Sequence, residues 1–282
     1  MSLTRRQVLA ASAATGSLAG KPAVRTLGVQ LYTVRSVLPD KPAETLRAIE
    51  RLGYREVEAT RAGIDRIWPH LRATALKPVS IHLEPQLFTS RQSELAAAIA
   101  DVHARGFRYA VCPAVPREDR GGTAAFQRIA AALNKGGELA RAAGMTLAYH
   151  NHAFEFAPAG GGRTLLDVLL AETDPGLVQL EMDIMWVTVA GVNPADLLAR
   201  YKGRVPLMHI KDLHRGVQPR FDEGIPREAF AEAGRGVVDI PGVLRAAGPA
   251  GVKHFFVEQD QTPGDPLSSL RVSAEYLRNL QV

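Results

Sequence analysis

The 282-residue sequence has few of the features that would tie it to a disulfide framework, a membrane or a nucleic acid. It contains one cysteine, Cys112, so no internal disulfide can form. After residue 25 it has no run of about 20 uncharged apolar residues, the length that a membrane-spanning helix needs. Its basic residues form no run and do not alternate with aromatics, which argues against nucleic acid as a partner. The composition, 46% hydrophobic and 22% charged, is that of a globular chain that can bury a full-sized core.

The formal net charge of +5 owes much to the first 21 residues. Arg5, Arg6 and Lys21 account for three of the 34 basic residues, which leaves 31 basic against 29 acidic residues elsewhere. The Arg5-Arg6 pair precedes an uncharged, weakly apolar stretch over residues 8–20, a pattern typical of a twin-arginine export signal. We therefore expect a signal peptide or disordered leader at 1–24, one domain at 25–282, and a periplasmic protein. A frayed helical N-terminus is the alternative.

After the leader, short apolar runs alternate with longer amphipathic runs, which predicts strands alternating with helices. The predicted strands are Leu27–Tyr32, Glu56–Ala59, Pro78–Leu83, Tyr109–Cys112, Met145–His150, Val178–Asp183, Pro206–Ile210 and His254–Glu258. The predicted helices include Ala43–Leu52, Gln92–Ala104, Ala124–Ala143, Leu165–Glu172 and Ala195–Tyr201.

This alternation fits an open doubly wound sheet or a closed barrel, and eight strand units favour closure. No Gly-x-Gly-x-x-Gly motif follows the first strand and no Walker-type loop is present, so the main nucleotide-binding open sheets lack their signature. The sequence therefore predicts the α/β class and a single (β/α)8 TIM barrel. The long polar segment Leu213–Asp239 would then lie over the catalytic face.

Polar residues at strand ends are the first functional candidates, because a barrel builds its active site where strands end. The fifth predicted strand runs into a segment containing Glu155, and the next three end at Asp183, His209 and Glu258. Carboxylate and imidazole ligands suit Mn²⁺, Mg²⁺ or Co²⁺ and accommodate Zn²⁺. A cation would also offset the repulsion among three clustered carboxylates. We expect these four residues to hold one divalent metal, with Mn²⁺ the first choice.

Five segments resemble the sugar phosphate isomerase/epimerase family, which belongs to the xylose isomerase-like TIM barrels. These segments are Leu27–Arg35, Tyr149–Phe156, Leu180–Trp186, His209–Asp212 and Val257–Glu258. The HNHxFEF sequence at 150–156 and the HIKD sequence at 209–212 are the most specific parts, and the resemblance extends from about Leu27 to the C-terminus. It implies one divalent metal held by Glu, Asp, His and Glu from the last four strands.

At the fifth strand the resemblance fits either Glu155 or His150 as the ligand. We prefer Glu155, because epimerase chemistry in this superfamily uses a pair of glutamates on opposite sides of the metal. Trp186 stands where some sugar epimerases of the superfamily carry a substrate-binding histidine three residues after the aspartate, so their substrate does not transfer directly.

The expected chemistry is removal of a proton next to a carbonyl, with the metal stabilising an enediolate. Glu155 and Glu258 would act as base and acid, and Lys211 would hold a substrate oxygen. The expected substrate-binding residues, facing a sugar or keto-sugar, are His82, His150, His152, Gln30, Tyr32 and Trp186.

Sugar isomerisation or epimerisation is the leading hypothesis. A keto-glycoside lyase or hydratase using the same metal site is one alternative, because the same enolate can expel a neighbouring substituent. A non-catalytic periplasmic sugar-binding barrel is the other.

Overall fold

A computed structural model describes residues 24–282, so nearly all of the predicted leader at 1–24 lies outside the described residues. Eight parallel strands form the barrel: β1 (Leu27–Gln30), β2 (Glu56–Thr60), β3 (Lys77–His82), β4 (Tyr109–Cys112), β5 (Thr146–His150), β6 (Val178–Asp183), β7 (Leu207–Ile210) and β8 (His254–Val257). They close in the order β1-β8-β7-β6-β5-β4-β3-β2. The predicted single (β/α)8 barrel is confirmed.

Helices connect the strands and pack around the barrel. They are α1 (Pro42–Arg51), α2 (Ile64–Leu71), α3 (Leu95–Ala104), α4 (Thr123–Ala142), α5 (Leu165–Glu172), α6 (Ile184–Val189), α7 (Pro194–Arg200), α8 (Ile240–Ala250) and α9 (Pro266–Asn279). Helix α3 begins three residues later than predicted, because Gln92–Glu94 forms a separate 3₁₀ turn. No helix in residues 24–282 combines the length and apolar character needed to cross a membrane.

Local sequence signals explain where several helices begin. Helix α5 starts with a capping box, in which the Thr164 hydroxyl accepts from the Asp167 backbone N–H and the Asp167 carboxylate accepts from that of Thr164. Asp265 caps helix α9, because its carboxylate accepts from two backbone N–H groups of the first turn. These caps satisfy backbone N–H groups that have no partner within their helix.

The segment after β7 is held as a closed loop by one buried carboxylate. Asp212 accepts hydrogen bonds of 2.8 to 3.0 Å from the backbone N–H groups of Leu213, Gly234, Gly236 and Val238. Asp212–Leu213 also pairs antiparallel with Phe230–Ala231. The aspartate of the HIKD sequence therefore ties the loop down at both ends.

Candidate functional site

A cavity of about 360 Å³ opens at the carboxyl ends of the barrel strands. Every strand except β6 contributes lining residues, either its last residue or residues that follow it. The lining residues are Tyr32, Thr60, Ala62, His82, Leu83, Glu84, Pro85, Pro113, Ala114, His150, His152, Lys211, Glu258 and Asp260. The walls contributed by β1 to β4 combine apolar residues with His82 and Glu84, whereas every lining residue contributed by β5, β7 and β8 is titratable. Such a cavity, with polar groups concentrated on one side, is typical of a small-molecule site at the catalytic face of a barrel.

Four buried side chains meet at the polar side of this cavity. The cavity group, as we call it, consists of His150, Asp183, His209 and Glu258, with one ligand atom of each within 4.8 Å of the others. His209 Nδ1 lies 2.8 Å from Glu258 Oε2 and 3.1 Å from His150 Nε2. The structure thus brings together three of the four predicted metal ligands, and at the fifth strand it places His150 with them.

Neighbouring backbone groups orient the cavity group. His150 Nδ1 lies 3.0 Å from the Pro113 carbonyl, which can only accept, so Nδ1–H donates to it and Nε2 is the atom that faces the group. Asp183 Oδ1 caps helix α6 by accepting from the N–H groups of Met185 and Trp186, each at 3.0 Å. Asp183 Oδ2 is buried and lies 2.9 Å from Lys211 Nζ. Each side chain therefore presents one ligand atom to the group, His150 Nε2 and Asp183 Oδ2.

A second group lies deeper in the barrel and shares His209. The inner group consists of Glu58, His82, Glu181 and His209, again with ligand atoms within 4.8 Å of one another. His82 Nε2 lies 3.0 Å from Glu58 and 2.9 Å from Glu181. Burial disfavours the charged form of His82, but these two carboxylates outweigh it and raise the pKa of His82 to about 10.

The cavity group fits a divalent cation. Its donor set of two imidazole nitrogens and two carboxylate oxygens is one that Zn²⁺, Mn²⁺ or Co²⁺ accepts readily. Lys211 Nζ, 1% exposed, already lies 2.9 Å from Asp183 Oδ2 and 2.7 Å from Glu258 Oε2. It also lies 2.9 Å from Asp260. Asp183 and Glu258 carry one negative charge more than this ammonium balances, and a bound cation would neutralise it in place of the His209 proton that the surrounding carboxylates favour.

These charges shift the ionisation of the groups in the cavity. Burial opposes ionisation of Glu258, but Lys211 and His209 outweigh it and hold the pKa of Glu258 below its ordinary value. Burial also opposes the charged form of Lys211, yet the carboxylates, led by Asp183, keep its pKa well above the ordinary value. His152 behaves oppositely, because burial and then His150 hold its pKa well below the ordinary value. At neutral pH the cavity therefore contains an ionised Glu258, a charged Lys211 and a neutral His152.

The turn after β5 explains the HNHxFEF sequence residue by residue. Asn151 links β5 to β6, because its side-chain oxygen accepts from the Asp183 N–H at 3.1 Å. Glu155 lies outside both groups: it accepts from the Tyr149 hydroxyl at 2.6 Å and from the His152 N–H at 2.9 Å. It is fully buried and does not line the cavity, so it holds the shape of the turn that presents His150 and His152.

The remaining predicted substrate-binding residues divide into two sets. Tyr32 lines the cavity, is 41% exposed, and has the Arg35 guanidinium over its ring. Gln30 and Trp186 do not line the cavity. Gln30 donates to Glu58 at 2.8 Å, and Trp186 packs beside His152 with ring centres 5.5 Å apart.

Sequence reasoning did not single out Glu58, Glu181 or Asp260. For Glu181 a signal existed, because it precedes Asp183 by two residues on the same strand and so faces the same side. Glu58 alternates with Val57 and Ala59 within β2, so its side chain lies on the opposite side of the strand from these two apolar residues. Asp260 follows β8 by three residues and carries no pattern that marks it.

Sequence comparison relates the chain to a TIM-barrel family and to inosose dehydratases. The family profile described as "Xylose isomerase-like TIM barrel" matches residues 46–280. An inosose dehydratase from Clostridium botulinum (strain Alaska E43 / Type E3) is 27% identical over 162 residues, 53% of each chain. One from Geobacillus thermodenitrificans (strain NG80-2) is 29% identical over 158 residues, 52% of this chain and 51% of its own. The chain spans about half the length of the curated relatives it matches.

Solved structures share the fold over most of the chain. A sugar phosphate isomerase/epimerase from Parabacteroides distasonis ATCC 8503 superposes with a TM-score of 0.77, at 20% identity, covering 90% of this chain and 98% of its own. The 3-keto-D-glucoside 4-epimerase from E. coli gives 0.68 at 16% identity, covering 90% and 99%. The IOLI protein, solved with a zinc atom, gives 0.70 at 14% identity, covering 89% and 95%. At these identities the likeness shows the fold alone.

Proposed function

The chain belongs to the xylose isomerase-like TIM barrel family, and on that basis we propose that it is a divalent-metal-dependent enzyme acting on a sugar-like polyhydroxy ketone. In this proposal the enzyme removes the proton from the carbon next to the carbonyl. The observation that carries the proposal is the cavity group, in which two imidazoles and two carboxylates converge beside a charged lysine in a cavity for small molecules.

The proposed metal ligands are His150, Asp183, His209 and Glu258. His150 Nε2 and His209 Nδ1 face each other at 3.1 Å, and two lone pairs at that distance repel unless a proton or a metal ion lies beside both. A set with two imidazoles favours Mn²⁺, Zn²⁺ or Co²⁺ over Mg²⁺. When bound, the ion would act as a Lewis acid that polarises the substrate carbonyl and offsets the negative charge formed on its oxygen.

The residues around the cavity supply the proton chemistry. Glu258 is ionised and lines the cavity, so it is the candidate base. Lys211 is charged and lies 2.7 Å from Glu258, where it can hold the substrate oxygen on which negative charge develops. His82 ends β3, which lies opposite β7 in the ring of eight strands, so His82 and Lys211 reach the cavity from opposite walls.

We favour elimination of a β-hydroxyl or β-alkoxy group, a lyase or hydratase reaction, as the fate of the enolate. The electron pair of the broken C–H bond forms a C=C bond, and the C–O electron pair leaves with the oxygen. That oxygen takes a proton from His82 on the opposite wall. Two observations support this choice. The curated relatives are inosose dehydratases, and Glu155, the expected second glutamate of an epimerase, does not line the cavity.

Isomerisation or epimerisation is the second candidate. It needs a group that returns a proton to the other face of the enolate, and His82, which lines the cavity and whose pKa is raised to about 10, is such a group. The two reactions share the first proton removal and differ in their products.

Incubation in D₂O tests the proposal. The metal-loaded enzyme should incorporate deuterium next to the carbonyl, or into an unsaturated product, with at least one member of a panel of inososes, ketoses and 3-keto-glucosides. Glu258→Gln should lower exchange by about 10²-fold or more. Metal content is measured alongside, so that loss of the base is separated from loss of the ion.

Glu84→Gln is the matched control, because Glu84 also lines the cavity but pairs with Arg61 at 2.9 Å, away from the cavity group. It should leave exchange within about 2-fold of wild type, as expected for a residue outside the transition state. If the metal-loaded wild type exchanges no proton with any substrate, the enzyme proposal is wrong and a non-catalytic sugar-binding barrel is favoured.

A further inference from the structure

His209 belongs to both buried groups, and each of its ring nitrogens faces a different one. Nδ1 lies 2.8 Å from Glu258 Oε2 in the cavity group. Nε2 lies 2.5 Å from Glu58 Oε1 in the inner group. A neutral imidazole has one lone pair and one N–H, so His209 can give a lone pair to a metal in only one of the two groups.

The contacts of Glu58 decide which group that is. The Glu58 carboxylate already accepts hydrogen bonds from Gln30 and Ser80, and His82 lies 3.0 Å from the same Oε1 atom that faces His209. It is fully buried and does not line the cavity. In the other group, His150 and Glu258 line the cavity that a metal ion would enter, and Asp183 Oδ2 lies 2.9 Å from Lys211 on the cavity wall. Glu58 is therefore placed as a hydrogen-bond acceptor, and the cavity group is the one that a metal ion can reach.

We propose that Glu58 is a positioning residue for the metal site. It accepts the Nε2–H of His209, which fixes the ring orientation and leaves the Nδ1 lone pair directed at Asp183 and Glu258. A carboxylate in this place also makes the imidazole a stronger ligand. Gln30 and Ser80 hold the Glu58 carboxylate and thus complete a chain of hydrogen bonds from β1, β2 and β3 to the ligand on β7. This inference rests on the proposed function only for the existence of the metal site.

The first test is zinc binding to the full-length apoprotein, measured by calorimetry against a competing chelator. Glu58→Gln keeps the size of the side chain but removes its negative charge, and should weaken zinc binding by about 10- to 100-fold. Glu56→Gln is the matched control. Glu56 lies on the same strand and also contacts a histidine, His254, at 2.8 Å, but has no contact with His209. It should bind zinc as the wild type does.

The second test needs no variant at Glu58. In the zinc-loaded wild type, ¹⁵N spectra of labelled histidines should show His209 protonated at Nε2 and metal-bound at Nδ1, with assignment from the His209→Gln spectrum. In Glu58→Gln the Nε2–H signal should move upfield, because its acceptor is weaker. A role limited to folding would not produce this signature, and the wild-type measurement stands if Glu58→Gln fails to fold.

Two results would overturn the proposal while leaving the metal site in place. One is zinc affinity in Glu58→Gln within about 2-fold of wild type, below the effect expected for such a carboxylate. The other is zinc bound at Nε2, with Glu58 itself as a ligand. A wild type that binds no divalent metal would overturn the proposed function as well.

Discussion

The hydroxyl of Tyr149 donates a 2.6 Å hydrogen bond to Glu155, and this contact keeps the glutamate away from the cavity group. Tyr149 is the penultimate residue of β5 and points away from the barrel axis. His150, the last residue of the strand, points towards the cavity. Glu155 follows Tyr149 to the outer side, where the His152 N–H is its second partner. His150 is consequently the β5 residue in position to bind a metal.

His150→Ala should therefore reduce metal affinity more than Glu155→Gln does. Removing one of four ligands should lower affinity by at least about 10-fold, comparable to or larger than the effect of an outer carboxylate. Glu155→Gln keeps a side chain of the same size in the turn and should leave metal content unchanged. Metal content after dialysis, measured by mass spectrometry, separates the two; the reverse order would restore Glu155 as the ligand.

Glu155 should also make stability depend on pH. Burial raises the pKa of Glu155 from its ordinary value of 4.5 to about 8, against the hydrogen bonds from Tyr149 and His152. The folded state therefore holds this proton more tightly than the unfolded state does, so stability falls as pH rises from about 4.5 to about 8. Glu155→Gln should flatten the free energy of unfolding over that range in denaturant titrations. An unchanged pH profile would show that Glu155 is ionised in the fold.

The loop after β7 should depend on Asp212. Replacing it with Asn leaves fewer acceptors for four backbone N–H groups at a site that is 1% exposed, which should cost about 2 kcal/mol or more. Limited proteolysis should then cut within 213–239 faster than in the wild type. Asp222→Asn, at an exposed position of the same loop, is the control. It should change neither the free energy of unfolding nor the rate of cleavage. Equal cleavage rates in Asp212→Asn and wild type would refute this role.

Export through the twin-arginine route is proposed from Arg5-Arg6 and the weakly apolar run at 8–20. Replacing both arginines with lysine keeps the charge but should retain the protein in the cytoplasm. Cell fractionation with an antibody to the barrel measures this. Undiminished recovery from the periplasm would exclude the twin-arginine route and would not affect the barrel or its site.

The sequence was sufficient for the fold because short strand-forming runs alternate with longer amphipathic runs along the chain. Predicted and observed strands agree to within two residues at every end. It also indicated Asp183, His209 and Glu258, because residues at strand ends necessarily meet at one face of a barrel. These parts of the prediction depend only on the periodicity of apolar residues and on the order of strands and helices along the chain.

The position of Glu155 depends instead on the 3₁₀ turn at Phe154–Phe156, which directs the side chain to Tyr149. Spacing along the sequence does not determine that direction. The inner group was missed for a related reason, because Glu58 and His209 are 151 residues apart and meet only across the closed barrel. The role of a glutamate inside a strand can be assigned only when the residue that it contacts is known.

The most direct test of the account is a crystal structure of the Mn²⁺-loaded protein with anomalous scattering measured at the manganese edge. The account predicts a single anomalous peak within about 2.0–2.3 Å of His150 Nε2, Asp183 Oδ2, His209 Nδ1 and a Glu258 oxygen. Glu155 should remain hydrogen-bonded to Tyr149. A peak bound by Glu58, His82 and Glu181, or one bound by Glu155, would contradict the assignment of the metal to the cavity group.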